Sequence, residues 1–524
     1  MRLRAVEQTT GYTGSFDFPM FAKEGVRMKA VKEAVIVKTA KETVHRNVIK
    51  YVLTFVTYSL CSLFFAFSAF AETPLGRVSI NGSESRAVQQ CKQHYNRAYF
   101  TNLAAIACSG VYRPQDSEEM KYLAAYGWRA MHHTAEEGKQ LAHFSVFYNV
   151  QNDGTPLYLI AFRGSADKKD VLTDLRTGLV PFEDQEGVDS VSPAADAAGE
   201  KDIPKVHKGF NDYTHAAMRA LLSVRKRKNT DEPPQRNLLQ ILQQQPEAHL
   251  LLTGHSLGGA AATLMGQRLL SYGIDPQRIH VVTFGAPAIG NQAFAEKYGR
   301  RLDLLRVTNT ADPVPLTLQA LFGKYKQFGD LVKFKVSLRQ SNLTHFMNVY
   351  LDTSQKEYYK ALDRAVEEGA FTPWPAVWNK DAQRPKVAVW LKEETSFPAK
   401  SFAPNLHRFI LNEYKALLPN YAQIQDGSDV RAVLRRCGAD YLLIIRTGAV
   451  TNRRDNSWFL TLEQQLLDKE GRTLSAGRFA KRTSPEAGNI TAAMEAVRLQ
   501  KQELYEKLPW LRPRRQEPCA PAAE

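Results

Sequence analysis

Thr253-Gly254-His255-Ser256-Leu257-Gly258-Gly259 stands between an apolar run, 249–252, and three consecutive alanines, 260–262. This order predicts a strand, a sharp turn and a helix. A Cβ atom on Gly254 or Gly258 would collide within so tight a turn, which explains the two glycines. The sequence therefore predicts an α/β fold in which Ser256 lies on a strand-to-helix turn.

The turn suits a nucleophilic serine. A strained strand-to-helix turn of the form Gly-x-Ser-x-Gly projects the serine hydroxyl into a site. The helix that follows begins with its positive end near Ser256, and the Leu257 amide points to where an oxyanion would develop. A match of five residues with three fixed arises often by chance, so the flanking strand and helix support this prediction more than the motif does.

A nucleophilic serine needs a base, and the base needs a carboxylate that orients it. In this fold class the acid and then the histidine follow the serine along the chain. Segment 304–308 has the pattern of a strand, and Asp312 follows it in a turn. Ligand sites of open α/β sheets form at such carboxyl ends. Asp312 is the candidate acid, with a helix cap or a turn residue as the alternative interpretation.

Three histidines follow Ser256: His280, His345 and His407. His280 lies within a predicted strand, 280–284, which favours a structural role. His407 lies in a helical pattern in what we interpret as another domain. His345 follows a polar turn and is the favoured base, with a half-buried loop histidine as the alternative. His255, inside the turn motif, is expected to pack rather than react.

A second oxyanion donor is expected where an earlier strand ends. Segment 156–162 is an apolar strand that ends in Arg163-Gly164-Ser165. It is predicted to pair with 143–148 in a hairpin, because Asn152-Asp153-Gly154 is a strong turn signal. Ser165 could donate its amide and its hydroxyl to an oxyanion.

Together these segments resemble the class 3, or fungal-type, lipase family of α/β-hydrolases. The matching segments occur in the family's order, cover roughly 95–351, and are Ala161-Phe162-Arg163-Gly164-Ser165, Asp174-Leu175, Val206-His207-Lys208-Gly209-Phe210, Thr253 to Gly259, Thr283-Phe284-Gly285-Ala286-Pro287, Asn309 to Pro315 and Thr344-His345. Several short motifs in one order are far more specific than the serine motif alone.

The resemblance implies an α/β-hydrolase fold with a mostly parallel sheet flanked by helices. It implies Ser256 as nucleophile, Asp312 as orienting acid, His345 as base, and the amides of Ser165 and Leu257 as the oxyanion hole. It also implies hydrolysis of carboxylic esters, such as acylglycerols or phospholipids, without a metal or other cofactor.

The chain departs from the compact family pattern in the long acidic segment between 175 and 206. Its acidic residues are Glu183, Asp184, Glu186, Asp189, Asp196, Glu200 and Asp202. In the family, the segment after the first oxyanion residue carries a lid, so 170–179 is the candidate lid and the acidic run its extension. A solvated surface loop is the alternative.

The beginning of the chain predicts export. Segment 51–71 contains no charged residue, follows a basic stretch, and ends in an Ala69-x-Ala71 pattern. These are the features of a secretory signal peptide, so 1–71 is interpreted as a leader. The expected destination is the bacterial periplasm or envelope, or the extracellular space. An uncleaved membrane anchor at 51–71 is the alternative, since the run is nearly long enough to span a bilayer.

Charge and cysteine content describe the expected mature chain. The leader accounts for +5 of the formal net charge of +15. The remaining charge of about +10 could favour anionic lipid surfaces, and no nucleic-acid-binding motif is present. An oxidising compartment permits disulfides, with Cys91 and Cys108 as the candidate pair. Free thiols are the alternative for each of Cys91, Cys108, Cys437 and Cys519.

The 524 residues indicate more than one domain. We interpret 72–372 as the hydrolase domain, 373–385 as a linker, 386–511 as a small α/β domain, and 512–524 as a disordered tail. The elements expected in the small domain are strands 386–391 and 441–445, helices 406–418, 430–436 and 490–508, and the hairpin 458–467 with 472–479. It contains no catalytic set and is interpreted as a binding or docking module whose partner is unknown.

Two functions remain open from the sequence. One is an exported serine ester hydrolase that acts on a lipid or other ester, at a lipid–water interface or membrane surface. The other is an envelope interaction protein built on a hydrolase fold with weak or no catalysis. The triad candidates favour the first, and the appended domain favours the second.

Overall fold

The computed structural model describes most of the chain from Ser85 onward. The described residues are 85–137, 140–151, 153–165, 178–182, 203–223, 237–336, 344–373, 376–393, 403–425, 429–451, 458–483 and 488–511. The predicted leader and signal peptide, nearly all of the candidate lid, the acidic run, Cys519 and the predicted tail lie outside these residues.

A seven-stranded sheet forms the centre of the hydrolase domain. Its strands stand in the order β1-β2-β3-β6-β7-β8-β9. The strands of this part of the chain are β1 Arg129–Glu137, β2 Gln140–Val150, β3 Pro156–Phe162, β4 Leu179–Pro181, β5 Lys205–His207, β6 His249–His255, β7 Ile279–Phe284, β8 Asp303–Asn309 and β9 Asp330–Phe334. Pairing from β3 through β9 is parallel, whereas β1, β2 and β3 pair antiparallel, as the predicted hairpin requires. Strands β4 and β5 form a separate ribbon.

Helices cover both faces of this sheet. They are α1 Arg86–Gly110, α2 Glu118–Ala125, α3 Lys208–Leu222, α4 Leu238–Gln244, α5 Leu257–Ser271, α6 Gln292–Tyr298, α7 Val314–Phe322 and α8 Met347–Glu367. Along β3, Leu157 and Leu159 pack with α1 and α8, while Tyr158 and Ile160 pack with α3 and α5. Burial on both faces explains why the central strands are continuously apolar. The predicted mostly parallel sheet flanked by helices is confirmed.

A second sheet of six strands follows, in the order β10-β12-β11-β13-β14-β15. The elements here are β10 Val377–Asn379, β11 Val387–Glu393, α9 Ala403–Leu417, β12 Asn420–Gln423, α10 Val430–Cys437, β13 Tyr441–Thr451, β14 Trp458–Asp468, β15 Thr473–Thr483 and α11 Asn489–Lys507. Asp429 precedes α10, and its side chain accepts a hydrogen bond from the Ala432 amide. Strand β10 lies inside the segment that composition assigns to the linker.

The two sheets share one apolar core. Buried side chains of α1 and α8 belong to the same cluster as those of α9 and α11, for example Leu351 and Met494. A smaller cluster under α10 fills the opposite face of the second sheet. The C-terminal domain is therefore packed against the helical layer formed by α1 and α8.

The structure contradicts the candidate disulfide. Cys91 and Cys108 are free thiols on the same helix, α1. Cys437, on α10, is also a free thiol. Seventeen helical residues separate the pair by about 25 Å, far beyond the Cα spacing of about 4 to 7 Å that a disulfide requires. Cys108 Sγ lies instead 3.1 Å from Thr253 Oγ1. Burial raises the pKa of the Cys108 thiol to about 12, so it is protonated.

Candidate active site

Ser256 occupies the turn between β6 and α5. It has φ 57° and ψ −124° and is the single non-glycine residue with positive φ in the described part of the chain. A Cβ on Gly254 would lie 2.1 Å from the Gly258 carbonyl carbon, and one on Gly258 would lie 2.1 Å from the Phe162 oxygen. Both distances are steric clashes, which confirms the prediction that these positions require glycine.

The three candidate triad residues meet at this turn. His345 Nε2 lies 3.1 Å from Ser256 Oγ, and His345 Nδ1 lies 3.0 and 2.9 Å from the two oxygens of Asp312. Ser256 and Asp312 are buried. The structure thus brings together a hydroxyl, an imidazole and a carboxylate in the order that proton transfer from serine requires.

The Asp312 carboxylate has two further partners. It accepts a hydrogen bond of 2.9 Å from the Val314 amide, where α7 begins, and one of 2.5 Å from the Tyr350 hydroxyl. Asp312 therefore binds the first amide of α7 as well as the base, although Pro313 occupies the cap position of that helix. Burial raises the pKa of Tyr350, with the Asp312 charge acting in the same direction, so the hydroxyl keeps its proton. Sequence reasoning missed Tyr350, because no local pattern links it to Asp312.

Gly285 packs directly against the acid and the base. It has φ 56°, and a Cβ there would lie 2.6 Å from Asp312 Oδ2 and 3.1 Å from His345 Nδ1. The absence of a side chain lets the end of β7 approach the carboxylate–imidazole pair. This close contact explains why the 283–287 motif has glycine at position 285.

His255 holds the backbone of the base. Its Nε2 lies 2.7 Å from the His345 carbonyl oxygen, and its Nδ1 lies 2.8 Å from the Tyr112 hydroxyl. Burial lowers the pKa of His255 well below its ordinary value, and His345 adds to this, so the ring is neutral. Because a carbonyl can only accept, Nε2 carries the proton and Nδ1 accepts from Tyr112. The expectation that His255 packs was incomplete, and Tyr112 was not anticipated.

The predicted oxyanion segment lies beside the serine. A Cβ on Gly164 would lie 3.3 Å from Ser256 Cβ and 2.5 Å from the His255 carbonyl oxygen. Ser165 is the next residue and is half-buried, while Leu257 is buried at the first position of α5. The end of β3 and the start of α5 therefore flank the serine, as an oxyanion hole requires. The roles of the Ser165 and Leu257 amides remain predictions.

The other two histidines that follow Ser256 have partners elsewhere. His280 Nδ1 lies 2.7 Å from Asp303 Oδ2, near the amino ends of β7 and β8, at the edge of the sheet opposite Ser256. His407 is buried on α9, with its Nε2 2.5 Å from the Thr447 hydroxyl on β13. Neither contact involves the candidate triad, and both fit structural roles.

No group of three or more His, Cys, Asp or Glu side chains is arranged to hold a metal ion within the described ranges. Over the same residues, no helix combines the length and apolar character needed to cross a bilayer.

Comparison with known proteins gives a family for part of the chain. Residues 159–321 match the family described as Lipase (class 3). The match includes Ser256 and Asp312 and ends before His345. The resemblance to class 3 lipases that the motifs indicate is therefore confirmed over this segment.

Individual relatives are similar over a comparable region. A secreted mono- and diacylglycerol lipase 2 of Gibberella zeae is 29% identical over 205 residues, which cover 37% of this chain and 47% of the relative. Phospholipase A1-II 1 of Oryza sativa subsp. indica is 30% identical over 171 residues, covering 30% and 38%. The chain thus spans less than half the length of these relatives. A Rhizomucor miehei lipase propeptide complex aligns at 23% identity with a TM-score of 0.34, over 47% of this chain and 68% of that one.

Proposed function

We propose that the protein is an exported serine ester hydrolase that cleaves acylglycerol or phospholipid esters through an acyl-enzyme on Ser256. The observation that carries this proposal is the continuous contact from Asp312 through His345 to the Ser256 hydroxyl, on a strained strand-to-helix turn. Such strain persists only where the surrounding structure enforces it, and it is typical of functional sites.

The proposed reaction has two halves. Ser256 Oγ attacks the ester carbonyl carbon while His345 Nε2 takes the hydroxyl proton, and the amides of Ser165 and Leu257 bind the oxyanion. His345 then gives that proton to the leaving alcohol, and the acyl group remains on the serine. A water molecule, deprotonated by His345, then attacks the acyl carbon. The bond between this carbon and Ser256 Oγ breaks, His345 returns the proton to Oγ, and the acid leaves. Each oxyanion donor is expected to lower the barrier by about 3 kcal/mol.

A lipid ester is the proposed substrate class. Helix α7 begins two residues after Asp312 and contains no charged residue, yet Leu316 is 62% exposed and Phe322 is 47% exposed. An apolar surface beside the acid of the triad fits acyl chains better than polar substrates. The names of the relatives, which include lipases and a phospholipase A1, support the same class. The signal-peptide pattern and the secreted relatives support export.

The alternative is an envelope interaction protein with weak or no catalysis. The C-terminal domain, which lies outside the matched family segment, is the feature that favours it. The two functions differ in whether the Ser256 hydroxyl reacts.

A p-nitrophenyl ester series and a fluorophosphonate probe test the proposal. We expect wild-type protein to hydrolyse the esters and to be labelled by the probe, and Ser256→Ala to lose both while retaining its circular dichroism spectrum. Ser271→Ala, at the other end of α5, is the matched control and should behave as wild type. An unlabelled and inactive wild-type protein, with detergent micelles present, would reject the hydrolase and favour the alternative.

A further inference from the structure

The candidate base lies just before helix α8, and a residue that binds the acid lies in the first turn of this helix. The helix starts at Met347, two residues after His345, and Tyr350 in its first turn donates to Asp312. Asp352 follows in the next turn. The position of this end of α8 therefore sets where the His345 ring lies relative to Ser256.

Asp352 caps a helix of the C-terminal domain. Its oxygens accept hydrogen bonds from the Asn489 amide at 3.1 Å, the Ile490 amide at 2.9 Å and the Asn489 side-chain Nδ2 at 2.8 Å. The first amides of any helix lack partners within it. Residue Gly488 occupies the cap position of α11 and has no side chain to accept them. A carboxylate of the hydrolase domain supplies the cap that α11 itself lacks.

Glu119 ties the same turn of α11 to two more helices. It accepts a hydrogen bond from the Thr491 hydroxyl of α11. The hydroxyl of Ser109, on α1, lies 2.9 Å from Glu119 Oε1 and 3.2 Å from Asn348 Oδ1 on α8. The first two turns of α8 are thus joined to the first turn of α11, directly by Asp352 and indirectly through Glu119.

The rest of α11 is held against the hydrolase domain as well. Arg498 makes two contacts of 2.6 and 2.9 Å with Glu118 of α2. Ile490 and Met494 are buried in the apolar cluster that also contains Leu351 of α8. These contacts fix the position of α11, so the amides of its first turn also fix the position of the Asp352 carboxylate.

We propose that the C-terminal domain holds in place the amino-terminal end of α8, which follows the base. Asp352 is the positioning residue that joins this end of α8 to the first turn of α11. This inference rests on the proposed function and assigns the C-terminal domain a role within the same active site. When the Asp352 contacts are lost, the start of α8 shifts, and the 3.1 Å contact between His345 and Ser256 is no longer maintained. Misplacement of a catalytic group by 1 Å can lower turnover by up to about a hundredfold.

Asp352→Ala in the full chain tests the proposal. The readout is kcat per active site, counted by titration with the fluorophosphonate probe, at a temperature well below unfolding. We expect kcat to fall by about tenfold or more with KM within about twofold of wild type. The matched control is Asp363→Ala: Asp363 lies on the same helix and pairs with Arg408 of α9, and both side chains are partly exposed. Thirteen helical residues, about 20 Å, separate Asp363 from Tyr350. This variant should leave both constants unchanged.

A milder variant covers the case in which Asp352→Ala does not fold. Asn489→Ala removes one of the three hydrogen bonds and leaves the two backbone donors, so a smaller fall in kcat is expected. Because both residues act through one contact, the double variant should be no slower than Asp352→Ala by itself.

Unchanged kcat per titrated site in Asn489→Ala, and in Asp352→Ala where it folds, would overturn the proposal, even if their melting temperatures fell. That result would leave the contact a purely structural one. Failure of the proposed function looks different, because wild-type protein would then be neither active nor labelled.

Discussion

At the scale of single residues, the candidate site depends on groups that hold the triad rather than react. His255 fixes the carbonyl of the base, Tyr350 binds the acid, and Gly285 allows the acid and base to lie against β7. All three are buried or tightly enclosed. Substitutions there are expected to act through geometry and protonation.

Gly285→Ala is expected to displace Asp312, because the new Cβ would lie 2.6 Å from Oδ2. We predict a loss of kcat of roughly a hundredfold with little change in KM. Part of the effect would be backbone strain, since the glycine has φ 56°. Gly438 has the same φ, and an added Cβ there would have nothing within 4 Å. Gly438→Ala therefore introduces backbone strain without a steric clash and serves as the control. Equal activity losses in the two variants would disprove the steric argument.

The neutral His255 predicts a pH dependence of stability. Its pKa is lowered in the folded protein from an ordinary 6.5, so the unfolded chain takes up the proton first as the pH falls. The stabilising contribution is complete above pH 6.5 and decreases as the pH falls from 6.5 to 5. Urea unfolding at both values should show a smaller loss for His255→Gln than for wild type. Identical losses would mean that His255 titrates normally.

At the scale of elements, α7 links the candidate triad to an exposed apolar surface. Asp312 accepts a hydrogen bond from the first amide of α7, and the exposed apolar side chains of α7 follow this residue. The position of the helix is therefore coupled to the position of the acid. Its surface chemistry can be tested separately, because Leu316 is 62% exposed and contributes little to the core.

Leu316→Ser is expected to weaken binding to lipid aggregates by roughly tenfold, since less apolar area is removed from water. Hydrolysis of a short, soluble ester should stay unchanged. The ratio of turnover on phospholipid or triacylglycerol emulsions to turnover on the soluble ester separates an effect on lipid binding from an effect on hydrolysis. Leu474→Ser, an exposed leucine on β15 of the C-terminal domain, is the control. A parallel loss on both substrates would indicate damage to the site rather than to a lipid-binding surface.

At the scale of the whole molecule, the two domains share a core, and this predicts a single cooperative unfolding transition. Loss of esterase activity and loss of far-UV circular dichroism should have the same midpoint. Met494→Ala, in the shared cluster, should lower both midpoints together, because such truncations cost about 2 to 5 kcal/mol. Leu499→Ala, on the same helix but 38% exposed, should change neither by much. Two separate transitions would show that the domains unfold independently.

Much of the hydrolase domain could be predicted from local chemistry. The strand, turn and helix around Ser256 and the hairpin before Arg163 both depend on residues a few positions apart. Turn glycines, caps and apolar periodicity act over such distances, so the sequence shows them directly. The order of motifs then indicated Asp312 and His345. In the structure, Asp312 contacts His345, and His345 contacts Ser256.

Other features depend on packing between residues far apart in the chain. Tyr112 meets His255, Tyr350 meets Asp312, and Asp352 caps a helix that begins at Asn489. The proposed Cys91–Cys108 disulfide was wrong for a related reason: the length of α1 separates two cysteines that composition alone makes a plausible pair. Such contacts depend on helix length, register and the shared core between the sheets, and none of these is encoded within a short window of sequence.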